Sequence, residues 1–412
     1  MILSGTNVDF GHRFNRRVVL EAVRRRGVIS RAEIARLTGL AAQTVSNIVE
    51  QLREDGMLLE QRRPSSGRGK PPLDLTVNPD GAFSLGIVFD RRRLVVAMLN
   101  LAGDICGRVD VVLPRPVPGV VLPLLEAAAN ELMMRTAVPA GRLWGAGLAM
   151  PALVARGEPT RLGPTSIPGW EGFPLAEKLG HRLGMPVFVE NDAAAAATGE
   201  LLFGAGRTLR DFVHIYIGPG IGGGLVLAGR PYRGSHGMAA ELAHFVVDSG
   251  GRACACGNRG CLERYASLSA AQAALDGGAE DSATVDLDRL AQGLAARDPR
   301  LLAWLDDAAR HLRHAIAALE NLLDPQTTII GGSLPESMLD ALLHRLDGLP
   351  PSVSSRRGPA DPPRLTRGAM AADMRVLGAA ALVLFDGMAP DPSLLLKQGT
   401  GTTELALRVA PG

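Results

Sequence analysis

Three of the four cysteines in this 412-residue chain lie in one short segment, residues 241–263, which reads ELAHFVVDSGGRACACGNRGCLE. The segment contains the pattern H-x9-C-x-C-x4-C, formed by His244, Cys254, Cys256 and Cys261. One imidazole and three thiolates are the ligands of a closed tetrahedral zinc site, and two glycines in the last loop let the backbone turn tightly. Because four protein ligands leave no coordination position for water, we predict a structural Zn²⁺ that clamps the loop.

Two plainer interpretations of these cysteines compete with a zinc site: buried thiols beside a core histidine, or a disulfide. Cysteines separated by one residue are too close for an unstrained mutual disulfide. Met1 is not followed by a basic and then apolar secretory signal, and no apolar run approaches the length of a membrane span. We therefore expect a cytoplasmic protein with no membrane partner, and a reducing compartment favours metal-bound thiolates.

The same segment resembles the zinc signature of the ROK family, which contains repressors, open reading frames and sugar kinases. The resemblance rests on Glu-x-x-His followed by C-x-C-G-x-x-G-C-L-E. It implies a sugar pocket beside the zinc loop, in which zinc-bound His244 turns its other ring nitrogen to a sugar hydroxyl. Glu241 and Glu263 would accept protons from further hydroxyls. Ala243 replaces the usual glycine of the family, and solvated surface charges are the alternative interpretation of the two glutamates.

Charge is unevenly distributed along the chain. The whole chain has a net charge of +2, whereas residues 1–80 contain 13 Lys+Arg and 9 Asp+Glu, which gives +4. A basic N-terminal segment is typical of a face that binds nucleic acid, although a few extra arginines are common on any surface.

Helical spacing of apolar residues predicts three helices near the N-terminus. They cover residues 14–26, 30–39 and 41–54. Ser30 and Glu33 form a capping box at the start of the second helix, and we expect Leu37 to face inward from it. Two helices joined by a turn that contains glycine form a helix-turn-helix.

The outward face of the third helix carries small and amide side chains near its N-terminus. They are Gln43, Thr44, Ser46 and Asn47. Side chains of this kind suit base edges in a major groove, so we predict that they contact DNA. A three-helix bundle with a merely polar face is the alternative.

Two short strands, MLLEQRR and PPLDLTV, follow the third helix and predict a wing. Between them, Arg68 and Lys70 lie in the flexible basic string GRGKP. This string resembles the Gly-Arg-Pro element that inserts arginine into a narrow minor groove, so we predict DNA contacts for both residues. A plain linker is the alternative. The winged layout is similar to that of ROK repressors such as the xylose and N-acetylglucosamine repressors, and ROK kinases lack it.

The resemblance implies an α/β fold with an N-terminal winged helix-turn-helix and a two-lobed actin-like ATPase (ribonuclease H-like) ROK domain. The winged domain would cover residues 1–80. The first ROK lobe would comprise residues 81–193 plus 374–390, and the second lobe, with the zinc loop, residues 194–373. Residues 391–412 would form a C-terminal tail.

The phosphate loop of ROK kinases reads Asp-x-Gly-Gly-Thr, and this chain departs from it. Val88 stands at the Asp position, Asp90 and Arg91 at the two glycines, and Arg92 at the Thr. Phosphoryl transfer depends almost wholly on positioning and charge stabilisation. We therefore predict that the chain is not an enzyme. The alternative function is a ROK-type sugar kinase that phosphorylates a hexose with ATP.

The strand FVEN followed by a helix rich in alanine places Asn191 and Asp192 at the family's remaining sugar contacts. In ROK kinases this Asp is the general base, and here we expect a retained sugar anchor. An N-cap role for Asp192 is the alternative. We assign Trp170 to the core rather than to a sugar platform. The Pro- and Arg-rich residues 350–368 predict an exposed loop.

The combined expectation is a sugar-responsive DNA-binding transcriptional regulator, a repressor of carbohydrate metabolism genes. Its partners would be operator DNA, a sugar or sugar-derivative effector, and further copies of the chain in a homodimer or homotetramer. A winged domain that contacts protein instead of DNA is a third possibility.

Overall fold

The computed structural model describes the larger part of the chain. The described residues are 8–62, 73–155, 158–160, 167, 169–278, 285–353, 358, 361–369 and 374–390. Arg68 and Lys70 of the predicted wing and the predicted tail 391–412 lie outside the described residues.

The N-terminal region is a winged helix-turn-helix, as predicted. Its elements are α1 (Val8–Arg26), β1 (Ile29–Ser30), α2 (Arg31–Thr38), α3 (Ala42–Glu54), β2 (Leu58–Arg62) and β3 (Leu73–Val77). The strands form an antiparallel sheet in the order β1-β3-β2. The predicted inward face of α3 is buried. It consists of Val45, Ile48, Val49 and Leu52. The opposite face of α3 is therefore free to meet a partner.

The start of α2 has the predicted capping box. The Ser30 hydroxyl accepts from the Glu33 amide at 3.3 Å, and the Glu33 carboxylate accepts from the Ser30 amide at 2.9 Å. The expectation that Leu37 faces inward is wrong, because this side chain is 50% exposed. Ile34 and Ala35 form the packed face, and residues two apart on a helix point about 200° away from each other. Leu37 therefore points away from Ala35.

The next region is built on a five-stranded sheet with the order β10-β7-β4-β5-β6. Its strands are β4 (Phe83–Phe89), β5 (Arg93–Asn100), β6 (Ile105–Val112), β7 (Leu143–Met150) and β10 (Val187–Asn191). The accompanying elements are α4 (Pro118–Thr136), the small pair β8 (Leu153–Ala155) and β9 (Glu158–Thr160), and α5 (Leu175–Leu183). Three successive strands, a helix and a fourth strand therefore build most of this region.

A second five-stranded sheet follows helix α6 (Asp192–Phe203), with the order β13-β12-β11-β14-β15. Its strands are β11 (Phe212–Ile217), β12 (Ile221–Leu227), β13 (Arg230–Pro231), β14 (Thr327–Gly332) and β15 (Leu365–Arg367). The helices of this region are α7 (Glu263–Ala266), α8 (Leu268–Leu275), α9 (Leu287–Ala295), α10 (Pro299–Leu323) and α11 (Glu336–Leu346). Within the described residues, 3-10 turns lie at Pro79–Gly81, Ala140–Arg142 and Leu242–His244.

Strand β15 corrects the expectation of an exposed loop over residues 350–368. It pairs in parallel with β14, with Thr328 opposite Leu365 and Ile330 opposite Arg367. The short strand therefore gains its hydrogen bonds from a distant partner, which the local abundance of proline and arginine does not reveal.

Helix α12 (Met374–Met388) returns to the first sheet and packs against β4 and β7. At Gly147 on β7, an added Cβ atom would overlap with the carbonyl oxygen of Ala379 on α12. The backbones of helix and strand therefore touch, and a glycine is required between them.

Trp170 belongs to the core, as expected. It is 1% exposed, lies against Phe89 and Phe173, and donates from Nε1 to the carbonyl oxygen of Pro116 at 2.7 Å. Across the described ranges, every helix is too short or too polar to span a bilayer.

The contact between Gly147 and α12 predicts a specific sensitivity to substitution. Gly147→Ala should lower the free energy of unfolding by about 1–3 kcal/mol, because the added methyl group must displace the backbone of α12. Gly141→Ala is the matched control, since a Cβ atom there meets nothing within 4 Å. Urea denaturation of both variants measures the difference. Equal stability of the two variants would contradict the close approach of β7 and α12.

Candidate functional site

The predicted metal ligands come together in space. One donor atom from each of His244, Cys254, Cys256 and Cys261 lies within 4.8 Å of every other. Cys254 Sγ is 3.7 Å from His244 Nδ1, and Cys256 Sγ is 3.6 Å from Cys261 Sγ. Sulfurs around a tetrahedral zinc are about 3.8 Å apart, whereas a disulfide bond is about 2.05 Å long. The four side chains therefore form a cluster that can hold a metal ion.

The backbone around the cluster is organised by its own hydrogen bonds. The amide of Cys254 donates to the carbonyl of Asn258 at 2.9 Å, and the amide of Val247 donates to the carbonyl of Gly260 at 2.9 Å. Gly260 has a positive φ of 73°, and a Cβ atom there would overlap with the carbonyl of Asp248. The loop thus holds the thiols close together, which lowers the entropic cost of binding a metal.

Glu263 and Glu241 lie on either side of this loop in sequence. Glu263 begins α7 and is 7% exposed; its Oε2 accepts from the amide of Ile221 at 3.2 Å, while the buried Oε1 has no hydrogen-bond partner. The Glu241 residue is exposed at the surface, but neighbouring protein atoms remove part of the hydration of its carboxylate. This desolvation, followed by repulsion from Glu263 and Asp192, raises the pKa of Glu241 to about 7. The carboxylates of Glu263 and Asp192 are therefore close enough to Glu241 to affect its pKa.

Asn191 and Asp192 stand at the junction of β10 and α6. Asn191 is the N-cap of α6: its Oδ1 accepts from the amides of Ala193 at 2.9 Å and Ala194 at 3.3 Å. Its Nδ2 donates to the carbonyl of Ala152 at 2.9 Å. The alternative that Asp192 caps the helix is therefore wrong, because Asp192 is the first helical residue. Burial raises the pKa of Asp192, against the opposing effect of Arg375.

Asp192 also belongs to a second group of polar side chains, of which Tyr216 and Arg375 have no motif in the sequence. We call Asp90, Asp192, Tyr216 and Arg375 the interlobe cluster, because they come from β11, from the starts of α6 and α12 and from the turn after β4. Arg375 Nη2 is 3.7 Å from Asp90 Oδ2, and Arg375 also interacts electrostatically with Tyr216 and Asp192. The pKa of Arg375 is raised, first by the phenol oxygen of Tyr216 and then by the carboxylates of Asp192 and Asp90. No local motif marks Arg375, since its partners are distant in sequence.

The turn between β4 and β5 is closed by Asp90. Its Oδ1 accepts from the amides of Arg92 at 2.9 Å and Arg93 at 3.0 Å, and its own amide donates to the carbonyl of Arg93 at 2.9 Å. Consecutive backbone N–H groups of this kind form anion-binding turns in proteins. Here a carboxylate of the chain itself occupies them.

The predicted DNA-contacting residues of α3 lie on one face of the helix. Gln43 and Asn47 are exposed, and Thr44 and Ser46 are half-buried. Gln43 Nε2 donates to Asn47 Oδ1 at 2.9 Å, so the two amides form one polar surface one turn apart.

Comparisons with known proteins agree with this architecture. The model of the ROK family matches residues 85–385, and the model of winged helix-turn-helix DNA-binding domains matches residues 15–58. The chain therefore belongs to the ROK family and carries a winged helix-turn-helix in front of the ROK domain.

Two proteins that match most of this chain are a repressor and a transcriptional regulator. The xylose repressor of Bacillus subtilis (strain 168) is 28% identical over 328 residues, which cover 80% of this chain and 84% of that repressor. The crystal structure of a ROK family transcriptional regulator homologous to the E. coli Mlc protein has a TM-score of 0.71 at 26% identity. It covers 92% of this chain and 98% of that chain. The ROK hexokinase from Thermus thermophilus covers 73% of this chain and 97% of its own, with a TM-score of 0.57 at 29% identity.

The metal cluster makes a direct prediction. Cys256→Ser should lose bound metal and lower the midpoint of thermal unfolding, because a hydroxyl is a poor replacement for a thiolate ligand. Cys106→Ser is the control, since Cys106 is an exposed free cysteine on β6. Elemental analysis of protein purified without chelators gives the metal content. Unchanged metal content in Cys256→Ser would remove Cys256 from the ligand set.

Proposed function

We propose that this chain is a sugar-responsive DNA-binding repressor of carbohydrate metabolism genes. The observation that carries the proposal is the winged helix-turn-helix in front of a ROK domain, an arrangement supported by the similarity to a xylose repressor and a ROK transcriptional regulator. In this proposal, residues 1–80 form the winged domain, residues 81–193 and 374–390 the first ROK lobe, and residues 194–373 the second lobe. The protein is a cytoplasmic homodimer or homotetramer that presents paired recognition helices to operator DNA.

On the DNA side, α3 enters the major groove with Gln43, Thr44, Ser46 and Asn47 at base edges. Amide side chains can donate and accept together, which suits bidentate reading of adenine. Arg68 and Lys70 of the wing approach the neighbouring minor groove and phosphates. The exposed amides of α3 support the first part of this proposal, and the composition of the GRGKP string supports the second.

On the effector side, a sugar lies against Asn191, Asp192, Glu241, His244 and Glu263. The carboxylates accept hydrogen bonds from hydroxyls, and the second N–H of the Asn191 amide remains to donate to one. The unpaired buried Oε1 of Glu263 supports a ligand at this position.

A structural Zn²⁺ held by His244, Cys254, Cys256 and Cys261 would fix the orientation of the imidazole. The Nδ1 atom of His244 faces the sulfurs, which leaves Nε2 for a sugar hydroxyl. Desolvation lowers the pKa of His244 and so favours the neutral ring that a metal ligand requires.

The turn at Asp90 supports a regulator rather than a kinase. The backbone N–H groups of Arg92 and Arg93 donate to Asp90 and are not available to a nucleotide phosphate. Phosphoryl transfer requires such donors and a metal ion at the phosphates. A ROK-type sugar kinase remains the second candidate function, favoured by the similarity to a hexokinase.

Two helices offer a path from the sugar to the DNA-binding domain. Helix α6 begins at Asp192 and is about 18 Å long. At its far end, Arg24 of α1 donates from Nη1 to the carbonyl of Leu202 at 3.0 Å. Arg375 is the second residue of helix α12. At the other end of this helix, Arg17 of α1 donates to the carbonyl of Ala389 at 3.2 Å. Sugar binding that displaces these helices would therefore move α1 and change the spacing of paired α3 helices.

The main prediction concerns DNA binding. In fluorescence anisotropy, the protein should bind DNA from upstream of its own gene, and its affinity should fall steeply as the salt concentration rises. At least one sugar should change this affinity. The double variant Gln43→Ala, Asn47→Ala should bind at least about 10-fold more weakly, since each base contact contributes about 1–3 kcal/mol.

Two results would contradict the repressor proposal. Saturating sugars that leave operator affinity unchanged would remove the coupling between the two parts. Absence of any DNA binding, together with sustained release of ADP from ATP in the presence of a hexose, would establish the kinase alternative instead.

Arg24 provides a test of the coupling path. Arg24 is 7% exposed and is oriented by Glu21, which accepts from Nε at 2.7 Å and from Nη2 at 2.8 Å. Arg24→Met keeps an apolar stem but cannot donate to Leu202, so the sugar-induced change in operator affinity should shrink by about tenfold. Arg135→Met, on the exposed side of α4, is the control. An undiminished sugar response in Arg24→Met would exclude this path.

A further inference from the structure

One tyrosine hydroxyl holds the loop that carries the metal cluster. Tyr265 is a buried residue of α7. Its hydroxyl donates to Asp248 Oδ2 at 3.1 Å and accepts from the backbone amide of Arg252 at 3.0 Å. Both contacts are to the segment of chain between His244 and Cys254. The hydroxyl therefore fixes the backbone between two of the four predicted metal ligands.

The loop passes very close to this hydroxyl. A Cβ atom at Gly251 would overlap with the hydroxyl oxygen of Tyr265 and would lie 2.6 Å from Asp248 Oδ2. At the neighbouring Gly250, a Cβ atom would meet nothing within 4 Å. Tyr265 therefore acts on the loop at one defined point, and the close approach requires a glycine there.

Arg252 extends this contact to the rest of the loop and to α10. Its carbonyl accepts from the amide of Gly260 at 2.7 Å, and Gly260 immediately precedes the predicted ligand Cys261. The guanidinium carbon of Arg252 lies 4.8 Å from the centroid of the Tyr265 ring, and its Nη2 is 3.8 Å from Asp307 Oδ2 on α10. Arg252 thus ties the two cysteine-bearing segments of the loop to each other and to α10.

Helix α10 also fixes the ring of Tyr265. The centroid of this ring is 4.0 Å from that of His311, with an angle of 37° between the two planes. His311 is 1% exposed and belongs to the 25-residue helix α10. Because close-packed side chains have little room to rotate, the hydroxyl of Tyr265 is held at a fixed position below the loop.

We propose that Tyr265 is a positioning residue for the metal cluster, so that metal affinity depends on a hydroxyl that is not a ligand. The inference rests on the metal site of the proposed function and is independent of the sugar and the DNA. A loop that is ordered before the metal binds pays less conformational entropy on binding. Groups that orient ligands from outside the coordination sphere typically change metal affinity by about 10–100-fold.

The first experiment measures the Zn²⁺ affinity of full-length Tyr265→Phe by competition with a chromophoric chelator. Phenylalanine keeps the ring against His311 and removes the hydroxyl that contacts the loop. The dissociation constant for Zn²⁺ should rise about tenfold or more, while the protein still binds the same number of ions at saturation. Tyr232→Phe is the matched control, because Tyr232 is an exposed tyrosine beyond β13.

The second experiment tests the contact itself with a double-mutant cycle. Gly251→Ala should weaken Zn²⁺ binding in the otherwise unchanged protein, because the added methyl group overlaps with the hydroxyl oxygen of Tyr265. In the Tyr265→Phe background the same substitution should change the dissociation constant by less than about threefold, since the hydroxyl is gone and the exposed Asp248 can move. Gly250→Ala is the control in both backgrounds.

The outcomes separate a positioning role from a purely structural one. A Tyr265→Phe protein with a lower midpoint of thermal unfolding and an unchanged Zn²⁺ dissociation constant would overturn the inference and leave the metal site intact. An effect of Gly251→Ala that is equally large with and without the hydroxyl would also overturn it. A wild-type protein that binds no Zn²⁺ would overturn both the inference and the metal site, and the sugar and DNA parts of the proposed function would stand.

Discussion

The backbone contact between α6 and α12 is the constraint on which the rest of the structure depends. A Cβ atom at Gly378 of α12 would overlap with the carbonyl of Ala195, and one at Gly199 of α6 would lie 3.1 Å from the Cα of Gly378. On its other side, α12 touches the first sheet at Gly86 and Gly147 in the same manner. Because no side chain separates these backbones, α12 cannot shift by rearranging rotamers. It moves only together with α6 or with the sheet.

This packing explains why the two helices are suited to carry a signal. Both begin at the interlobe cluster, at Asp192 and at Met374, and both end at carbonyl groups that accept hydrogen bonds from α1. Arginine donors at helix C-termini are favourable, because the last carbonyls lack partners within the helix and carry partial negative charge. The winged domain therefore rests on the ends of the two helices whose beginnings lie beside the proposed sugar contacts.

Features that depend on neighbouring residues could be predicted from the sequence, and features that depend on distant pairs could not. The capping box at Ser30, the buried face of α3 and the four metal ligands each follow from local spacing. The pairing of β15 with β14 and the ion pair of Arg375 with Asp90 join residues far apart in the chain. The choice of cap for α6 could not be predicted for a different reason. Asn191 and Asp192 are equally good caps by residue type, and the end of β10 at Asn191 makes that residue the cap.

The two groups of residues around the proposed sugar contacts are held in place by different chemistry. At one end the loop around His244 is held by backbone hydrogen bonds and by a thiol cluster that suits a metal ion. At the other end, the guanidinium of Arg375 pairs with Asp90 in the turn after β4 and interacts with Asp192 at the start of α6. In the proposed repressor, the free energy that changes the arrangement of the lobes comes from the sugar, and it is limited to the difference in sugar affinity between the two arrangements.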